Sequence, residues 1–169
     1  VLDAVIAGGG VGAPVGLRGR EDLRDLAWLT SDPAAARDRD DAVLAEVDPD
    51  PGNPGGFILW VAIADVAHYV TPGSALDREA RKRGNSTYFP DRVVPMLPDI
   101  LSGDLCSLHE AVDRPCMAVR MRLDAQGHKL THRFHRGRHR RRAPLNHTQL
   151  PAVGAGRTPP GHAPPRGRA

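Results

Sequence analysis

The chain has 169 residues, 40% of them apolar, 25% charged and only 4% aromatic, which is enough for one domain or part of a larger one. No run approaches eighteen apolar residues, so a membrane-spanning helix is excluded, and the Gly-rich start VLDAVIAGGGVGAPVG lacks the basic lead of a secretory signal. The net charge of +3 hides a division: residues 1–124 hold 13 basic and all 20 acidic residues, whereas 125–169 hold ten Lys or Arg and no acid. An acidic body with a basic tail suggests a polyanionic partner; a solvated, disordered tail is the competing reading. Two cysteines, Cys106 and Cys116, make no disulfide framework and stand at no zinc spacing, so they read as core residues of a cytoplasmic protein.

Composition separates three zones. Residues 1–19 form an irregular lead-in, 20–135 carry nearly all the regular pattern, and 136–169, with eight Arg, six Pro and no aromatic residue, cannot bury enough to fold alone. In the middle zone AVLAEV (42–47) and FILWVAIADV (57–66) are β-prone, and the Pro and Gly of DPDPGNPGG between them predict a long-looped antiparallel hairpin. The unbroken apolar run from Phe57 to Ala64 predicts a strand buried on both faces. Ser74 as N-cap, Asp77 three residues on and Gly84 as the stop bound a helix over 74–84. MAVRMRL (117–123) and HKLTHRF (128–134) flank DAQG, a second hairpin. The fold class expected is α+β, mostly antiparallel strands with one short helix.

The most informative stretch is the run from Ser31 to Asp41, in which Asp32, Asp38, Asp40 and Asp41 fall within ten residues directly before a strand. Carboxylates this close repel one another and are tolerated with a cation or with full solvation. A hard divalent ion with oxygen ligands suits them; an ordinary polar turn, where Asp is common, suits them too. The spacing is not that of a calcium loop.

The aspartate cluster D-x5-D-x-DD, the WVAIADV strand, the LDREARKRG helix, the YFP turn and the PMLP and LCSL segments occur in one order over about Arg20 to Phe134. That series strongly resembles the catalytic (RNB) domain of the ribonuclease II and ribonuclease R family. The resemblance implies the N-terminal half of an RNB-type domain and a Mg²⁺-dependent hydrolytic exoribonuclease that digests single-stranded RNA from its 3′ end and releases nucleoside 5′-monophosphates. It further implies Asp32, Asp38, Asp40 and Asp41 as active-site aspartates, with Asp32 and Asp41 the direct ligands of Mg²⁺. Tyr88 matches the family's tyrosine that stacks on a nucleotide near the 3′ end, a contact indifferent to base identity. No obligate protein partner follows from it.

Arg81, Lys82 and Arg83 on the predicted helix read as phosphate contacts or as a solvated face, and Asp65 as a neighbour of the site or a buried structural carboxylate. Tyr69 reads as structural. The family's domain is about twice the length of the match, and its second half is not found here. The tail has the Arg/Pro/Gly bias of GC-rich DNA read out of frame, a signature that a real truncation and a frame error share. The expectation is therefore a truncated copy with weak or no activity of its own; a non-catalytic RNA-binding module using the tail and a non-functional remnant are the alternatives.

Overall fold

The computed structural model describes residues 17–29, 31–32, 39–140 and 145–146. The fold is α+β with strands dominant. Its centre is a five-stranded sheet in the order β1-β8-β7-β4-β3, formed by β1 (Glu21–Asp22), β3 (Asp41–Val47), β4 (Phe57–Ala64), β7 (Arg114–Leu123) and β8 (Lys129–His139). All neighbours are antiparallel except β1, which pairs with β8 in parallel. A two-stranded parallel pair joins β2 (Ser31–Asp32) to β9 (Leu145–Asn146), and a small hairpin joins β5 (Thr87–Tyr88) to β6 (Val93–Val94).

Both predicted hairpins form. β3 meets β4 from Asp41 opposite Ile63 to Val47 opposite Phe57. The loop between them is closed by Asn53, whose Nδ2 donates to Asp48 Oδ2 (2.8 Å) and to the Leu123 carbonyl (2.9 Å). A Cβ on Gly56 would lie 2.0 Å from that nitrogen, so only glycine fits against it. The DAQG turn is tied by Asp124 N to the His128 carbonyl (3.0 Å). Helix α1 (Ala75–Arg83) starts and stops where its caps predict: Ser74 Oγ accepts from Asp77 N at 3.1 Å, and Gly84, at φ 78°, ends it in the left-handed region.

Two expectations are corrected. The first concerns β4, which is not buried on both faces. Ile58, Trp60, Ala62 and Ala64 are buried, but Phe57 and Ile63, on the other face, are exposed. The covered face carries Leu44, Trp60, Ala62, Cys116 and Ala118, against which Leu23, Trp28, Leu97, Leu101 and Leu108 pack. Trp28 meets Trp60 edge-on at 6.2 Å and donates its indole N–H to the Leu23 carbonyl at 2.8 Å. The opposite face keeps Val47, Phe57, Ile63, Met117 and Phe134 open to solvent. A continuous apolar run therefore marks a strand apolar on both faces, not one covered on both.

The second correction moves the boundary at residue 135, which falls inside β8. That strand runs on to His139, and His135 and His139 are buried against Trp60 and Trp28, at 4.9 and 5.3 Å between ring centroids. The arginines that looked like the start of a disordered tail are neutralised by acids of the body. Arg136 reaches Asp65 (3.2 Å), Arg138 reaches Asp22 (2.8 Å) and Arg140 reaches Asp113 (2.5 Å). These side chains stay partly exposed, and composition misses the strand because it cannot see their acidic partners. Gly137 has a further role: a Cβ there would sit 2.4 Å from Leu23 Cδ1 and 3.0 Å from Cys116 Sγ, so it lets the β1 segment close on the sheet. Residues 1–16, 141–144 and 147–169, most of the predicted lead-in and tail, lie outside the described residues.

Candidate metal and RNA site

The segment Arg39–Asp41 enters the central sheet as the first rung of β3, and its backbone is held from three sides. The Arg39 carbonyl accepts from Leu108 N at 2.6 Å, and the Arg39 N–H donates to Ser107 Oγ at 3.2 Å. The Asp40 carbonyl accepts from Ala64 N, at the end of β4, at 2.8 Å. Asp41 then pairs in register with Ile63. Side chains alternate along a strand, so Ala42 goes into the core while Asp41 stands on the open face with Val43. Asp40 and Asp41 are both exposed. Consecutive carboxylates are thus carried to the edge of a rigid sheet, and among the described residues no Lys, Arg or His forms an ion pair with Asp41.

Asp32 takes its backbone place in β2, opposite Asn146; its side chain, and Asp38 as a whole, lie outside the described residues. Among the described residues no three His, Cys, Asp or Glu side chains gather into a ligand group. Of the four predicted aspartates the structure describes the side chains of two, Asp40 and Asp41, neighbours in sequence and both exposed. Their chemistry, hard carboxylate oxygens with access to water, fits Mg²⁺, which is usually held by one or two carboxylates and keeps several waters.

Tyr88 is 66% exposed on β5. Beside it Phe89 is exposed, with the Arg92 guanidinium 4.9 Å from its ring centroid. Arg81, Lys82 and Arg83 lie at the exposed end of α1 and pair along the helix with Asp77 (3.1 Å) or Glu79 (3.9 and 3.1 Å). Asp65 is a buried structural carboxylate: Arg20 NH2 stands 2.5 Å from its Oδ2, with Arg136 on the same oxygen. Burial alone would raise its pKa, but hydrogen bonds from the two guanidiniums outweigh that and hold it below the ordinary carboxylate value. Cys106 and Cys116 are free and buried, and burial pushes both thiols up to about 12, which leaves them inert. Tyr69 packs against the core, with its hydroxyl likewise pushed up to about 12 by burial.

Sequence reasoning missed the groups that hold the acidic segment: Ser107, the Leu108 N–H and the Ala64 N–H. Ser107 is itself fixed. Its N–H donates to the Asp104 carbonyl (2.9 Å), its carbonyl accepts from Arg114 Nε (3.2 Å), and Arg114 also pairs with Asp104 at 2.5 Å. These partners lie far along the chain, and no local periodicity announces them.

A family model described as RNB domain matches residues 20–159. The chain belongs to the RNB domain family. It is 60% identical over 119 residues to ribonuclease R of Acidithiobacillus ferrooxidans, covering 70% of this chain and 26% of that protein. To ribonuclease R of Escherichia coli (strain K12) it is 48% identical over 132 residues, covering 78% of this chain and 16% of the relative. Among solved structures, Mycoplasma genitalium RNase R in complex with ribose-methylated single-stranded RNA superposes with a TM-score of 0.79 at 33% identity, covering 94% of this chain and 25% of that one. The chain thus spans about a quarter or less of the length of these relatives. No helix of the described residues is long and apolar enough to cross a membrane.

Proposed function

We propose that this chain carries the carboxylate wall of an exoribonuclease site that hydrolyses single-stranded RNA from its 3′ end to nucleoside 5′-monophosphates with Mg²⁺. The observation that carries this reading is the placement of Asp40 and Asp41: exposed, consecutive, and locked by backbone hydrogen bonds at the first rung of β3. Asp32 and Asp41 would hold the metal directly, with Asp38 and Asp40 completing the acidic site. When bound, the metal supplies charge neutralisation at the scissile phosphate and activation of water. Without it, adjacent carboxylates repel the phosphate they must approach.

Tyr88 offers a ring face to a base near the 3′ end, and its exposure on a short hairpin supports that role. The matched stretch covers about a quarter or less of the relatives' length, so positioning of the RNA and stabilisation of the transition state also draw on groups outside it.

The test is a chimera in which the matched stretch replaces its counterpart in the A. ferrooxidans enzyme. Mg²⁺-dependent release of nucleoside 5′-monophosphates from single-stranded RNA, abolished by Asp40→Asn, is the expected result. A folded chimera that binds RNA and releases nothing overturns the reading.

A further inference from the structure

We propose that Arg120 and Arg133 form a clamp for a backbone phosphate of the RNA strand, on the face of the sheet opposite Asp41. Only the identity of the polyanion rests on the proposed RNA substrate. Strands β7 and β8 carry the arginines Arg114, Arg120, Arg122, Arg133, Arg136 and Arg138. Four of them are taken by acids: Arg114 by Asp104, Arg122 by Asp48 and Asp50, Arg136 by Asp65 and Arg138 by Asp22. Among the described residues no acid pairs with Arg120 or Arg133, and these two stand directly opposite each other in the ladder. Residues so placed have their Cβ atoms about 5 Å apart, and like charges there destabilise a sheet.

The pair lies one row beyond Ala62, Ala118 and His135 on the same face. Arg120 is also opposite Trp60, with its guanidinium 6.0 Å from that ring's centroid, so its half-buried stem runs over a fixed aromatic surface. Arg133 is exposed beside it. The next arginine on this face of β7, Arg122, has already engaged Asp48 and Asp50, and Glu46 stands two strands away on β3. Neutralisation of the pair is therefore left to an anion from outside. A phosphodiester suits it, because its charge is shared by two oxygens and each guanidinium fork can take one. Such a contact reads no base, so it serves any RNA sequence. Asp41 stands on the other face, so the clamp holds a part of the strand remote from the bond that is cut.

The experiment measures binding of the full 169-residue chain to fluorescein-labelled oligo(A) by anisotropy over a series of salt concentrations, with unfolding midpoints taken in parallel. Wild type is compared with Arg120→Glu and with Arg78→Glu, the same change of charge at an exposed position on α1. Arg120→Glu is expected to weaken binding by about tenfold, as loss of a charged hydrogen bond does, and to flatten the salt dependence by about 1 in log–log slope. Its unfolding midpoint should rise, because opposite charges then face each other across the ladder, so misfolding cannot explain the loss. Arg78→Glu should change affinity far less. Unchanged affinity in Arg120→Glu overturns the clamp and leaves the nuclease reading to the chimera. Equal weakening in Arg78→Glu overturns it too, since net charge alone would then account for the loss. Should Arg120→Glu fail to fold, Arg133→Gln decides at an exposed side chain: weaker RNA binding supports the clamp, and unchanged binding overturns it. A wild type that binds no RNA overturns the clamp whatever the chimera releases.

Discussion

Strand β3 begins and ends in acid, and the two ends are built in opposite ways. At its far end Asp48 and Asp50 are both taken up by Arg122, with Nε 2.5 Å from Asp48 Oδ2 and NH2 on Asp50. Asn53 Nδ2 and the Asp50 N–H also donate to Asp48, and Gly52 N donates to Asp50 Oδ1 at 2.8 Å. These bonds, that from Asn53 first and that from Arg122 next, hold the Asp48 carboxyl down at about 2. At the near end, Asp40 and Asp41 are fixed by their backbones, while among the described residues Asp41 has no cationic partner. Carboxylates that stabilise a turn spend their oxygens on the protein. At the near end the anchoring is done by peptide groups instead.

The largest effect should come from the near end. Asp32→Asn combined with Asp41→Asn is expected to reduce Mg²⁺ affinity by about a hundredfold or more, since a hard cation loses both proposed charged ligands. Isothermal titration of the folded variant checks this, and unchanged binding would remove the distinction between the two ends. At the far end, Arg122→Ala strands two carboxylates at once, one of them buried. It should lower the unfolding midpoint by several degrees and leave Mg²⁺ affinity where it was. A loss of metal binding in that variant would mean that the two ends are coupled along the strand.

Acid sharpens the comparison. Folding lowers the Asp48 pKa from 3.8 to about 2, so its contribution to stability is complete above about pH 4 and is lost as pH falls through about 2. Denaturant midpoints measured from pH 5 to pH 2 should fall less steeply for Asp48→Asn than for wild type. Parallel curves would show that the turn's hydrogen bonds do not act through that carboxylate's charge.

How much of this was legible depends on the range of each interaction. Both hairpins and α1 were readable because their signals are local: Pro and Gly between β-prone runs, Ser74 and Gly84 around a helical stretch. The aspartates were readable because four like charges in ten residues demand a reason. The anchors were not, because Ser107 lies 68 residues from Arg39 and shares no pattern with it. The same distance hid the end of β8: Arg136 finds Asp65 across 71 residues, and a window that sees only arginines and prolines reads disorder. Apolar runs reported which faces a strand can bury, and Phe57 and Ile63 show that this differs from what is covered.

The smallest predicted effect is the most discriminating. Asp41→Asn should leave stability at neutral pH, without metal, within about 0.5 kcal/mol of wild type, the range of surface substitutions that touch no special feature. Asp41 is exposed, its place in the ladder with Ile63 is made by backbone groups that Asn retains, and among the described residues no ion pair is lost. Removing one of two adjacent negative charges relieves repulsion, so any change should lean towards stabilisation. A residue kept for function at no benefit to the fold has this profile, because selection maintains it against the slight gain its removal would bring. Urea unfolding of the variant at pH 7 decides the matter. A loss above about 1 kcal/mol would place Asp41 with Asp48, as an acid that holds the strand rather than one held out for a metal.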